Sequence, residues 1–274
     1  MQKVFNITNK YIILTTVLIL YSLISNIYAV SFAIGNRVNI IGLVFAVILL
    51  TFMTAAFLSG WLKMVCSAIE NKDADNTNSL IKIFPEGVGE YILSVLGSFI
   101  VMGLFIVIIS FATFYAGNHF IGDPQIDITK FAKIGNNMAE VKTFLATLSP
   151  EQINKFAKWN QLILCSIVFS YFALFLYLPA IFYKNKNPFI AFFISIKNLL
   201  SRKLLKTLGV FILIFIANTT ISVLTALFSS NAIISFIVTL TSFYILTAST
   251  VGLFSFYNNN FTDSQFGQNI DVHI

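Results

Sequence analysis

YILSVLGSFIVMGLFIVIISFATFYA, residues 91–116, contains no Asp, Glu, Lys or Arg. As a helix rising 1.5 Å per residue it would be about 39 Å long, enough to cross the ~30 Å hydrocarbon core of a bilayer. Its apolar residues run on without the polar positions that would give a water-facing side. This stretch is read as a membrane-spanning helix, and it sets the terms for the rest of the chain.

Working outward, apolar runs of the same kind lie at about 11–33, 39–60, 160–183, 207–228 and 232–257, each free of those four charged residue types. The composition agrees: 57% apolar, 10% charged and a mean hydropathy of +0.85, where a soluble domain carries roughly 25% charged residues. The expected fold class is therefore all-α, a polytopic transmembrane bundle of six helices forming one domain over residues 1–258. It has an outer loop at about 117–159 and a polar C-terminal tail, 259–274. The first run follows Lys3 and Lys10 and ends in Ala29-Val-Ser-Phe-Ala33, small residues of the kind found at signal cleavage sites. Signal peptides have an apolar core of only about 7–15 residues, so the longer run here is expected to stay as a helix.

Tyr11, Trp61, Tyr91, Tyr115, Trp159, Tyr183 and Tyr257 bracket the spans and are expected in the headgroup zone, which favours amphipathic rings. If the spans alternate in direction, Lys3, Lys10, Lys63, Lys72, Lys82, Lys184, Lys186, Lys197, Arg202, Lys203 and Lys206 share one side, eleven of the 17 basic residues. Arg37, Lys130, Lys133, Lys142, Lys155 and Lys158 share the other, mostly within one long loop. The positive-inside rule then puts both termini in the cytoplasm of a cell bounded by this plasma membrane. The net charge of +6 sits beside apolar runs, which points to membrane lipids, with anionic headgroups near Lys184–Lys206, and not to nucleic acid.

Three connecting segments carry helix signals. In Asn187-Pro-Phe-Ile-Ala-Phe-Phe-Ile-Ser-Ile-Lys-Asn-Leu-Leu-Ser-Arg202, Asn187 can cap and Pro188 suits the first helical position. Phe189, Phe192, Phe193, Ile196, Leu199 and Leu200 then share one face, with Ser195, Asn198 and Arg202 on the other, the pattern of an amphipathic helix lying in the interface. A shorter pattern of this kind, Ser79-Leu-Ile-Lys-Ile-Phe84, precedes Pro85, which is expected to start the third span's helix with Glu86 at its positive end. The cytoplasmic side is thus expected to carry two amphipathic interfacial helices. Ser149-Pro-Glu-Gln152 matches a capping box and should open a helix leading into span four, and a short helix is expected at Met138–Thr147.

No residue set dictates a reaction. Nucleophile elbows, phosphate-binding loops, zinc-binding helices and dinucleotide fingerprints are absent from the sequence, so no enzyme activity and no cofactor is expected. His119 and His273 have no Cys or Glu at ligand spacing, and Cys66 and Cys165 stand far apart, so neither a metal site nor a disulfide framework is expected. Asp73 and Asp75 lack the later ligands of a calcium loop and read as a polar turn. Glu86 and Glu90, four apart, read as first-turn acids complementing a helix dipole. No ionisable residue lies inside the six runs, which argues against a proton relay or voltage sensor. The polar positions that remain are Asn218, Thr219 and Thr220 in span five and Pro179 in span four. Asn218 has two readings, a solute contact at the bundle centre or, the plainer one, a bond to a neighbouring helix. Pro179 frees a carbonyl one turn earlier and kinks the span, with or without gating. Ala56 with Gly60, Ser94 with Ser98, and Ala248 with Gly252 are small pairs four apart that let helices approach closely.

The segments Phe57-Leu-Ser-Gly-Trp61, Phe84-Pro-Glu-Gly87, Leu148-Ser-Pro-Glu-Gln152 and Leu178-Pro-Ala-Ile-Phe-Tyr-Lys-Asn-Lys-Asn-Pro-Phe-Ile-Ala-Phe-Phe-Ile-Ser195 resemble a group of uncharacterised bacterial six-helix membrane proteins. That group is similar to the membrane domain fused to some glycerophosphodiester phosphodiesterases. The resemblance covers about residues 10–257, implies a six-helix bundle with amphipathic elbows in a bacterial plasma membrane, and brings no catalytic residues with it. The soluble phosphodiesterase part is absent from these 274 residues. The sequence therefore points to a multi-pass membrane protein that acts as an envelope or lipid-associated accessory, with or without a membrane protein partner. The alternative is a transporter for an apolar or amphipathic solute, with Asn218, Thr219 and Pro179 on its path.

Overall fold

The computed structural model describes residues 2–35, 40–70, 77–123 and 138–262. The Asp73 and Asp75 turn, part of the outer loop and the end of the C-terminal tail lie outside the described residues. Among those described, every regular element is a helix: α1 (Gln2–Lys10), α2 (Ile13–Gly35), α3 (Ile40–Glu70), α4 (Thr77–Phe120), α5 (Met138–Ala146), α6 (Pro150–Ala173), α7 (Tyr177–Tyr183), α8 (Pro188–Leu199), α9 (Leu204–Leu227) and α10 (Ala232–Tyr257), followed by a π turn, Asn258–Thr262. Six segments are long and apolar enough to cross a membrane: α2, α3, α4, the α6–α7 pair, α9, and α10 with its π turn. This is the fold of a multi-pass helical membrane protein.

The chain forms two compact units, Met1–Val101 with Leu174–Ile274, and Met102–Ala173. The first unit has its core at one end of its helices. Buried residues cluster at the start of α2 (Leu14, Leu18), the end of α3 (Phe57 to Ile69), the start of α4 (Leu80, Tyr91, Val95), in α7 and at the end of α10 (Val251, Phe254, Tyr257). Starts and ends alternate along the chain, as an up-and-down arrangement requires. The other halves of α2, α3 and α10 expose large apolar side chains such as Ile27, Ile41, Phe45, Ile233 and Phe236, a surface suited to lipid and not to water.

Aromatic rings fill the packed end. Tyr21 stacks on Phe57 at 4.0 Å and Tyr91 on Phe182 at 4.3 Å, while Tyr183 stacks on Tyr257 at 6.0 Å. Tyr11, Trp61, Tyr91 and Tyr257 are therefore core residues, not the lipid-facing belt that span ends usually carry. Trp61 donates its indole N–H to the Leu14 carbonyl at 2.9 Å. The reason is that α3 does not stop at Trp61 but runs on to Glu70, carrying the ring into the bundle.

A similar extension corrects the reading of Pro85. The helix of span three begins at Thr77 and passes through Pro85. Proline cannot donate to the carbonyl four residues back, but Leu80 is fully buried in the core, and the Phe84 ring lies where a β-carbon on Gly60 would have to sit, 2.7 Å away. Packing on both sides of the proline holds the preceding turns in the helix. Gly87 closes the same crossing: a β-carbon there would sit 2.5 Å from Lys63 Cβ and 2.9 Å from the Ser59 carbonyl oxygen. The motifs Phe57–Trp61 and Phe84–Gly87 are thus two halves of one helix crossing.

An ionic cluster joins the same elements. The Glu90 carboxylate accepts from Lys63 Nζ at 3.0 Å and from Lys186 Nζ at 2.8 Å. Both ammonium groups also lie over the Tyr91 ring, 5.3 and 5.2 Å from its centre, where the negative face of the ring attracts them. Glu90 is a bridge between α3, α4 and the α7–α8 turn, more than the solvated dipole partner its position suggested.

α8 begins as its sequence dictates. Asn187 Oδ1 accepts from the backbone N–H groups of Phe189 at 3.0 Å and Ile190 at 3.3 Å, with Pro188 at the first helical position. Its buried side mixes small and large residues. Ala191, Ser195 and Leu199 are buried and Phe192 packs edge-on to Tyr177 at 5.8 Å, whereas Phe189, Phe193 and Leu200 are 55%, 69% and 72% exposed. Small side chains at Ala191 and Ser195 let neighbouring helices approach closely.

The second unit holds the later part of α4 together with α5 and α6. The capping box closes reciprocally at the start of α6, with Gln152 N–H donating to Ser149 Oγ at 3.2 Å and Ser149 N–H to Gln152 Oε1 at 3.0 Å. The Trp159 indole N–H donates to the Gly122 carbonyl at 2.9 Å, and Thr113 bonds Ser166 at 2.7 Å.

Candidate functional site

α1 turns the N-terminus back along the last part of α10, with Tyr244 donating its hydroxyl proton to Asn9 Oδ1 at 2.6 Å. Val4 lies beside Gly252, within 3.8 Å of the place a β-carbon would occupy. Together with α9, these helices line a groove of about 680 Å³, within the ~300–1,000 Å³ typical of small-ligand sites. Two glycines keep it open: Gly209 on α9, where an added β-carbon would meet nothing within 4 Å, and Gly252 on α10. The pair Ala248 and Gly252, expected as a packing seam, forms part of its wall.

Lys3, Lys206, Ser255 and Asn259 line one end of the groove, and Leu213, Ala217, Ile245 and Ala248 line the other, together with Ser249, whose hydroxyl accepts from Asn218. Ser255 is 7% exposed and its hydroxyl finds no hydrogen-bond partner among the described residues. A buried hydroxyl without a partner is uncommon, since it forgoes about 1–3 kcal/mol. The nearby lysines differ in what they hold. Lys184 Nζ donates to the Thr262 carbonyl at 3.4 Å and Lys203 Nζ to that of Asn260, which satisfies free carbonyls past the end of α10. Lys3 and Lys206 form no ion pair among the described residues and remain available to a ligand.

Asn218, Thr219, Thr220 and Pro179 do not form one site. Asn218 Nδ2 donates to the Ile214 carbonyl at 2.8 Å and to Ser249 Oγ at 3.3 Å, so its amide joins α9 to α10 just beyond the apolar end of the groove. Thr219 and Thr220 are exposed, and neither lines the groove. Pro179 is buried in α7, after a break at 174–176 that separates α6 from α7. The missing N–H of the proline leaves the Phe175 carbonyl without its helical donor, which accounts for the interruption. Replacing Asn218 by Ala is expected to cost about 1 kcal/mol of unfolding free energy in mixed micelles. A loss below a few tenths would show that the bond to Ser249 contributes nothing.

Nothing local in the sequence marks the groove. Lys3 and Lys206 come together only because α1 folds back on α10, and the one local trace is a glycine on each of two apolar helices. No known protein family, curated protein or solved structure matches this chain.

Proposed function

We propose that this protein is a non-enzymatic, lipid-associated accessory of the plasma membrane, with both termini in the cytoplasm. The observation that carries this reading is α8, which presents Phe189, Ile190 and Phe193 outward next to the exposed Lys197 and Arg202. Rings that enter the acyl region beside cations that meet phosphate are what a helix at the membrane surface needs. The basic residues on the packed side of the bundle support the same orientation by the positive-inside rule. The test is mass spectrometry of the full chain extracted in native lipid discs. Lipid at near-stoichiometric amounts, with or without one protein partner, is the expected result. Lipid in the discs no different from the bulk membrane, together with unchanged envelope lipids after deletion, would overturn the reading.

The break between α6 and α7 supports the second reading, a transporter for an apolar or amphipathic solute, since an interrupted helix can bend. Flux of such solutes into protein-bearing liposomes that Pro179→Ala abolishes would favour it. Absence of flux across a broad panel would remove it.

A further inference from the structure

We propose that the groove between α1, α9 and α10 is a binding site for one anionic phospholipid, with its phosphate at Lys3 and Lys206 and an acyl chain lying along α9. This inference rests on the lipid-associated reading and names the site and class of lipid. Four observations converge on it. The groove has the polarity of such a lipid, with Lys3, Lys206 and Ser255 at one end and mostly apolar side chains at the other, where the Ser249 hydroxyl is already bonded to Asn218. Its length fits: from Lys206 to Ala217 along α9 is about 16 Å at 1.5 Å per residue, close to the ~15 Å depth of one leaflet's hydrocarbon. The two lysines are without anionic partners among the described residues, while their neighbours Lys184 and Lys203 are held by backbone carbonyls. The buried hydroxyl of Ser255, unbonded within the chain, stands where a phosphate or ester oxygen would accept from it.

A zwitterionic lipid carries its own cation beside the phosphate and would add a third positive charge to the two ammonium groups, and free phosphate would leave the apolar part of the groove unfilled, so the site selects an amphiphile carrying net negative charge. The lipid would also bridge the N-terminal helix to α9 and α10 and fasten α1 against the bundle.

The experiment is native mass spectrometry of the full-length protein in neutral detergent, titrated with phosphatidylglycerol or phosphatidylcholine of matched chains. The wild type is expected to retain one phosphatidylglycerol in preference to phosphatidylcholine, and inorganic phosphate is expected not to displace it. The double substitution Lys3→Gln with Lys206→Gln should weaken retention roughly 30-fold, from about fivefold per basic residue at a membrane surface. Gly209→Leu places a side chain into open space in the groove and is expected to lower retention tenfold or more with no loss of thermal stability. Equal retention of both lipids by the wild type would overturn the proposal, as would displacement by inorganic phosphate. Retention by Gly209→Leu equal to that of the wild type would overturn the groove and leave lipid association standing. Failure of lipid association as such is read separately, in the native discs.

Discussion

Gly87→Ala is expected to lower the unfolding free energy by about 2–3 kcal/mol, the upper part of the range for overpacking a close-packed interior. Its β-carbon would meet three groups at once: Lys63 Cβ at 2.5 Å, the Ser59 carbonyl oxygen at 2.9 Å and Gly60 Cα at 3.1 Å. Two of these are backbone atoms, so no rotamer change relieves the clash and α3 and α4 must separate. Gly89, two residues on, supplies the control. A β-carbon there meets nothing within 4 Å, and Gly89→Ala should be neutral or stabilising by about 0.5–1 kcal/mol, since alanine suits a helix interior better. Equilibrium unfolding in mixed micelles measures both. Equal effects from the two substitutions would mean that helix propensity, and not the crossing, governs this region.

Glu90→Gln is expected to cost about 2 kcal/mol. The substitution keeps the shape of the side chain but leaves Lys63 and Lys186, 3.0 and 2.8 Å from the carboxylate, as two like charges without the carboxylate that they share. The Glu90 side chain is 34% exposed, so the magnitude falls between the ~0.2–1 kcal/mol of surface pairs and the ~3–5 kcal/mol of breaking a buried one. The loss should shrink to a few tenths when both lysines are replaced by methionine, because the repulsion is then gone. An undiminished loss in that background would assign the effect to something other than the ionic bridge.

Both predictions show where a linear reading runs out. Asn187 and the Ser149–Gln152 box announced their helices because a cap is a local device, satisfied by backbone N–H groups two or three residues away. The six apolar segments were equally legible, since bilayer thickness sets their length whatever they pack against. Pro85 misled because what keeps it inside a helix is Gly60 across the crossing, 25 positions earlier in the chain. Trp61 and Tyr91 looked like interfacial markers, yet their rings are held by Leu14 and Phe182, partners that only the tertiary arrangement supplies. α8 departs for a different reason. The period put Leu199 with Phe189 and Phe193 and set Ser195 opposite them, but Leu199 and Ser195 are both buried while Phe189 and Phe193 are exposed, because the neighbouring helices decide which side is covered. The candidate groove is the least local feature of all, with its two cations at positions 3 and 206.

The one-ended core also sets how the first unit can answer its surroundings. α2, α3 and α10 are gripped where the aromatic rings interlock, while their opposite halves expose large apolar side chains. A rod clamped at one end responds to a thinner or thicker bilayer by changing its tilt. The clamp then becomes a fulcrum, and small rotations there translate into splaying of the free ends. Membrane thickness would thus be read by this protein as an angle.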